Sequence, residues 1–296
     1  MRPILAPGTH VLRRGDGSVQ VGLLAPARLM VSVGPGRAAG TEVVAADSAG
    51  AAPDDPRVLE VLTSRGLLLD ESAVLPMCSG PVGDPRRHAA AALALTSGSS
   101  AATVRARRAG SHVQVLGFGH PVGLRLPALL DELLREAGIG AATAKSADAS
   151  PPAVGVLVGV GEPDRELVDA WTRASTPHLL VRFVEGRSLL GPFVHAGRTA
   201  CLRCIDAHRT DADPAWPLLV RQYAESSSRD RLDGVPEPLD PLLVRLALAW
   251  AARDVTAYVD GRRPWTWSAT LTLQPHLGDL ETASWLRHPE CGCSAA

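Results

Sequence analysis

The feature that most constrains this chain is the placement of its thiols. Of five cysteines, four form two close pairs, Cys201-x-x-Cys204 in "CLRCIDAH" and Cys291-Gly292-Cys293 in "HPECGC", and Cys78 stands alone. The first spacing puts two sulfurs on one turn, where they bind a single tetrahedral ion without backbone strain. The second pair, with one glycine between its cysteines, brings both sulfurs close enough for one ion only if the chain turns, which Gly292 permits. Four thiolates close a zinc shell and leave no open position for chemistry. Any fold with that site must carry the end of the chain back to its middle, and Cys201, Cys204, Cys291 and Cys293 are the expected structural zinc ligands. His288 is near enough in sequence to replace one sulfur, but the four-sulfur set is the simpler reading.

Composition narrows the class. The chain has 296 residues, 46% of them hydrophobic, and a formal net charge of −1. That suffices for a substantial core and argues against a nucleic-acid binder, which would need a basic stripe. Lys145 is the only lysine, a bias read here as base composition. No signal-peptide pattern opens the sequence. The longest apolar stretch, "PLLVRLALAWAARDVTAYV", carries Arg245, Arg253 and Asp254, so it reads as a buried helix capped by Asp240 and Pro241, not a membrane span. The expectation is a cytoplasmic protein whose thiols are reduced and bind metal.

Three regions are expected. Residues 1–75 form a small α+β module. In it "THVLRRGDGSVQVGLL" is a hairpin about Gly15-Asp16-Gly17, "ARLMVSVG" is a third strand from Arg28 to Val33, and "PRVLEVLTSRGLLLDE" is a short amphipathic helix. Residues 76–110, rich in Ala, Ser, Gly and Arg, read as a linker with one helix. From residue 111 to 296 the pattern becomes strand, glycine turn, helix: "HVQVLGFG", "AVGVLVGV" and "PHLLVRFVEG" are apolar runs separated by helical segments. That alternation predicts an α/β fold with a mainly parallel, doubly wound sheet, followed by an added hairpin strand, "RSLLGPFVHAGR".

The first βα turn, "VLGFGHPVG", places Gly117, Gly119 and Gly123 where backbone amides could approach a phosphate at a helix N-terminus. The spacing is one residue off the usual fingerprint, and Pro121 removes a donor. No acidic residue follows in position to hold a ribose. The three glycines therefore read as a vestigial nucleotide loop that keeps the strand-to-helix geometry.

With these pieces in place, "VLGFGHPVG", "GPFVHAGRTACLRC" and the terminal "HPECGC" resemble the ThiF/MoeB group of ubiquitin-activating-like proteins. More closely they resemble its divergent branch of cyclodehydratase-associated, leader-peptide-binding proteins of thiazole/oxazole-modified microcin synthesis. The resemblance covers about residues 111–293. It implies a Rossmann-like, ThiF-like domain with structural zinc. It also implies that the N-terminal module is winged-helix-like and binds a precursor leader peptide by strand addition. Arg28, Leu29, Met30 and Val31 of the third strand, with Leu59, Leu62 and Leu67 around the helix, would form the groove. The implied partners are that peptide and a YcaO-type cyclodehydratase, which uses ATP to close azoline rings, and the implied assembly is a homodimer.

The chain departs from the adenylating members. Residues 138–153 are too compressed for the usual phosphate-binding stretch, and Glu162 and Asp164 lie only approximately where a magnesium ligand belongs. A non-catalytic scaffold without bound ATP is expected. The alternative is a ThiF/MoeB-type adenylyltransferase that activates the C-terminus of a small carrier protein.

Overall fold

The structure, a computed structural model, describes residues 2–13, 19–23, 29–31, 56–140, 151–276, 278 and 280–294. The chain divides into two compact units, residues 1–106 and 107–296.

The first unit contains β1 (Pro3–Leu5), β2 (Val11–Arg13), β3 (Val19–Val21), β4 (Leu29–Val31), α1 (Pro56–Ser64), β5 (Leu68–Asp70), α2 (Glu71–Val74) and α3 (Pro85–Ser97), and α4 (Ala101–Ala109) runs across its boundary. β2 and β3 form the expected antiparallel hairpin, with Val11 opposite Val21, and β4 pairs with β3 to complete a three-stranded sheet. β1 and β5 form a separate antiparallel pair. The hairpin turn at Gly15-Asp16-Gly17, and Arg28, Ser32 and Val33 of the expected third strand, lie outside the described residues.

Helix α1 ends in a double backbone closure. The amide of Gly66 (φ 67°) bonds Thr63 O at 3.0 Å, and that of Leu67 bonds Leu62 O at 2.9 Å. This Schellman geometry draws the residues on either side of the glycine together, and both Leu62 and Leu67 are buried.

The stretch 76–110, expected to be a linker with one helix, carries two. Asp84 accepts the Arg86 amide and Pro85 takes the first position, a strong start for α3. Both helices pack: Ala90, Leu93 and Ala94 of α3 and Ala101 and Val104 of α4 bury with Ala6, Leu69, Val74 and Met77.

The second unit contains β6 (Val113–Gly119), α5 (Leu126–Glu136), β7 (Val154–Val160), α6 (Arg165–Arg173), β8 (His178–Val184), β9 (Arg187–Val194), α7 (Leu202–Ala212), α8 (Trp216–Ser226), α9 (Pro241–Val259), β10 (Ala269–Leu273) and β11 (Glu281–Ser284). One six-stranded sheet runs in the order β11-β10-β9-β8-β7-β6. The expectation of a mainly parallel sheet needs correction. Only β6, β7 and β8 are parallel, whereas β9, β10 and β11 join antiparallel, so the sheet is mixed. The reversal is set at Glu185-Gly186, where both residues have positive φ, 51° and 75°. A two-residue turn of that kind can only return the chain antiparallel. It makes β9 the hairpin strand expected from the sequence.

Strand alternation then covers both faces. Val154, Val156, Val158 and Val160 of β7, with Leu179, Val181 and Phe183 of β8, pack under α5 and the buried side of α9. Leu157 and Leu180 point the other way and pack with Val168 of α6 and Leu202 of α7. Gly155 is on that second face because Trp171 lies over it, and a Cβ there would sit 2.8 Å from the indole. Asp240 caps α9 as expected, accepting the amides of Leu242 and Leu243 at 2.8 and 2.9 Å. Among the described residues no helix is long and apolar enough to cross a membrane.

Candidate metal centre and glycine turn

The four paired thiols meet. Cys201 is the N-cap of α7 and Cys204 lies in its first turn, while Cys291 and Cys293 come from the last described loop. The Sγ–Sγ distances are 3.7 Å between Cys201 and Cys204, 3.6 Å between Cys201 and Cys291, and 3.4 Å between Cys204 and Cys293. All four sulfurs lie within 4.8 Å of one another. These are far too long for disulfides, whose sulfurs sit about 2.0 Å apart. A zinc ion bound at about 2.3 Å to each thiolate would set tetrahedral edges of roughly 3.8 Å. The donor set, its number and its spacing therefore fit a closed structural ion of zinc's size.

Their surroundings push the thiols in opposite directions. Cys201 donates its S–H to Cys204, which with the backbone amides of His288 and Cys201 holds the Cys204 thiol down to about 4. The same hydrogen bond pushes the Cys201 thiol up. Burial raises Cys293 to about 12. The helix N-terminus further favours the thiolate at Cys204. The turn that brings Cys291 and Cys293 together is the short 3-10 segment Gly292–Ser294, with the Cys291 amide bonded to His288 O at 3.0 Å. Gly292 is not needed for it: its φ is ordinary and the space beside its Cα is open.

His288 does not replace a sulfur. Its Nδ1 accepts the Glu290 amide at 3.2 Å and its Nε2 meets Asp211 Oδ2 at 3.0 Å. His208, Asp211 and His288 form a second cluster with metal-type donors. Hydrogen bonding accounts for it more simply. With Nδ1 accepting, the neutral His288 ring carries its proton on Nε2 and donates it to Asp211, so that nitrogen has no lone pair for a metal. His208 Nε2 meanwhile bonds Leu286 O at 2.9 Å. The trio clasps the loop 286–290 to α7, and Cys78 lies apart, half-buried beside the first unit's core.

The glycine turn is built for packing. Gly119 has φ 75°, and a Cβ there would stand 1.8 Å from Val160 O. A Cβ on Gly117 would press on Pro127 at 3.1 Å, and one on Gly123 on the Val160 side chain at 3.1 Å. The amides that a phosphate would use already have partners. His120 N donates to Val160 O at 3.2 Å, Val122 N to the His120 ring at 3.1 Å, and Gly123 N to His120 O at 2.9 Å. His120 is buried, and its Nε2 faces Asp230 at 3.2 Å. Lys145 and residues 141–150 lie outside the described residues.

Glu162, a candidate metal ligand by position, is instead the centre of a buried ion network. Arg182 Nη1 donates to its Oε1 at 2.6 Å and Arg165 Nη1 to its Oε2 at 2.8 Å. Arg165 continues to Asp206 at 2.8 and 3.0 Å, which also accepts Trp216 Nε1 at 3.0 Å. Asp164 caps α6 through the Glu166 amide. The sequence signal for this network was an arginine inside an otherwise apolar strand, "HLLVRFV". Of the residues expected to bind peptide, β4 holds Leu29, Met30 and Val31. Leu62 and Leu67 are core, and Leu59 is half-buried.

No protein-family model matches the chain, and no curated protein matches it in sequence. Solved structures do match in fold. A heterocyclase in complex with substrate and cofactor has a TM-score of 0.64 at 18% identity, over 99% of this chain. The heterocyclase TruD has 0.63 at 18%, also over 99%. This chain spans 39% and 42% of the lengths of those two proteins. MccB of E. coli, solved with MccA-N7isoASN, has 0.63 at 12% identity and covers 100% of both chains. The same protein solved with ATP has 0.62 at 12%, over 99% of this chain. The chain thus shares a fold with heterocyclases and with MccB.

Proposed function

We propose that this protein is a peptide-handling scaffold in thiazole/oxazole biosynthesis. In this reading it binds the leader of a ribosomal precursor peptide and presents it to a YcaO-type cyclodehydratase, and it does not itself activate a carboxylate. The observation that carries the reading is the fold shared over nearly the whole chain with a heterocyclase solved with its substrate and cofactor. The leader would add a strand beside β4, whose second edge has no partner among the described residues. Leu62 and Leu67 would then hold α1 as the wall of the groove, leaving Leu59 for contact. Four-sulfur zinc would be structural, and the second unit would be a ThiF-like, Rossmann-like domain organised around β6 and its glycine turn. Residues 1–75 would be the winged-helix-like module, with 111–296 as the ThiF-like domain and a homodimer as the assembly. The scaffold role is supported by the turn's amides being engaged within the protein and by Glu162 being bonded to two arginines.

The match to MccB solved with ATP favours a second reading, an adenylyltransferase acting on a peptide or carrier C-terminus. One experiment separates them. The tagged protein is captured from its native host, its companions are identified by mass spectrometry, and the purified chain is assayed for ATP–pyrophosphate exchange. A YcaO-type protein, a short peptide rich in Cys, Ser and Thr, and no exchange are expected. Exchange stimulated by a captured peptide or by a small protein ending in Gly-Gly would sink the scaffold reading.

A further inference from the structure

Helix α8 is amphipathic, yet none of its residues is buried. Its apolar stripe of Trp216, Leu219, Val220 and Tyr223 faces a cavity of about 680 Å³ in the second unit. Val184 and Leu189, at the ends of β8 and β9, also line it. A volume of this size is ordinary for a small-ligand site. Apolar side chains around such a cavity leave surface exposed that a core would have covered.

One end of the cavity carries an unbalanced charge. The Arg209 guanidinium lies 4.4 Å from the centre of the Trp216 ring and has no carboxylate within ion-pair distance among the described residues. The nearby carboxylates are already engaged, Glu162 by Arg182 and Arg165, and Asp206 by Arg165. Three guanidinium groups therefore share two carboxylates, leaving one positive charge in a partly buried place. Burial first, then repulsion from Arg182, lowers the Arg209 pKa, in keeping with an uncompensated cation. Glu185, Arg187 and Glu281 also line the cavity. Those two carboxylates oppose a polyanion such as a triphosphate more strongly than a ligand with a single negative group.

The geometry points to a binding site for an apolar carboxylate, with its carboxyl on Arg209 and its apolar body against Trp216, Tyr223, Val184 and Leu189. The chemistry is common to a free aryl or alkyl acid and to an acidic side chain set among leucines in a peptide. This site is separate from the strand-addition groove of the first unit and does not depend on it.

The test is calorimetric titration of the full zinc-loaded chain with 4-phenylbutyrate, with its amide, and with an end-capped Leu-Glu-Leu peptide. The acid should bind about tenfold more tightly than the amide. Arg209→Met should weaken the acid by about tenfold, Arg209→Lys should restore most of the loss, and Leu219→Asp should abolish binding. Leu219 is half-exposed, so this last variant tests the cavity without opening the core. Tighter binding of the peptide than of the acid assigns the site to a peptide segment, and the reverse to a small molecule. Equal binding of acid and amide, unchanged binding by Arg209→Met, or no binding of either acidic probe at millimolar concentration overturns the proposal.

Discussion

His178 opens β8 with its ring almost fully buried. Nδ1–H donates to Thr176 O at 2.8 Å, while Nε2 has no partner among the described residues. Burial holds the ring neutral, its pKa lowered to about 4. Because the unfolded ring titrates near 6.5, the unfolded chain binds the proton first as pH falls. The stability due to the neutral ring is complete above pH 6.5 and is lost between 6.5 and about 4, roughly 3 kcal/mol in all. Urea unfolding of His178→Gln should show a flatter dependence across that window, and an unchanged slope would assign it to other groups. Gly119 makes a second case at this scale. Gly119→Ala would combine a 1.8 Å approach to Val160 O with an unfavourable positive φ. A loss of about 3 kcal/mol or more is expected in denaturant unfolding. A wild-type midpoint would mean that the turn relaxes. Nucleotide assays on Gly119 variants would therefore report folding before binding. The glycines were conspicuous in the sequence, but their reason was not, because the atoms that exclude side chains belong to β7 and α5.

At the scale of elements, the sequence was most informative where a signal is local. The hairpin β2–β3, the capped helix α9 and the returning strand β9 each announce themselves by alternation, an N-cap or a tight turn within a few residues. The direction of β10 and β11 and the role of alanine-rich α3 were not legible, since both depend on what packs against them. Helix α7 shows both cases at once. Its Cys201-x-x-Cys204 start was readable as a ligand pair, whereas Asp206 and Arg209 gain their meaning only from Arg165, Trp216 and the end of β7. The network that Asp206 joins ties the turn after β7 to β8, α6 and α7 through Glu162, Arg165 and Arg182, with Glu162 and Arg182 buried. Removing one partner of a buried ion pair leaves the other uncompensated, so Arg182→Met should lower stability by about 3–5 kcal/mol. Pairing it with Glu162→Gln should recover part of that loss in a double-mutant cycle. Additive losses would show that the two charges do not share their burial.

For the whole molecule, the consequence lies in how the chain's end is held. β11 is an edge strand whose four residues are all exposed, and it contributes little core of its own. The segment beyond it is anchored by Cys291 and Cys293 against α7, by the His288–Asp211 and His208–Leu286 bonds, and by Trp285 Nε1 bonded to Thr270 Oγ1 at 3.0 Å. The parallel half of the sheet, by contrast, has apolar residues buried on both faces and does not depend on sulfur. Metal removal should therefore unfasten one end and leave the other folded. Structural zinc sites contribute roughly 10 kcal/mol or more in small domains, and most of that here should appear as the local stability of residues 281–293 and the start of α7. Zinc content of one ion per chain is expected, falling sharply in Cys204→Ser. Hydrogen exchange after chelation should accelerate in β11 and the loop beyond it, while amides of β6, β7 and β8 keep their protection. Uniform acceleration would make the metal a requirement for the entire second unit. Unchanged zinc content and melting temperature in Cys204→Ser would instead mean that the four thiols are packed neighbours and that the clasp of His208 and His288 holds the end alone.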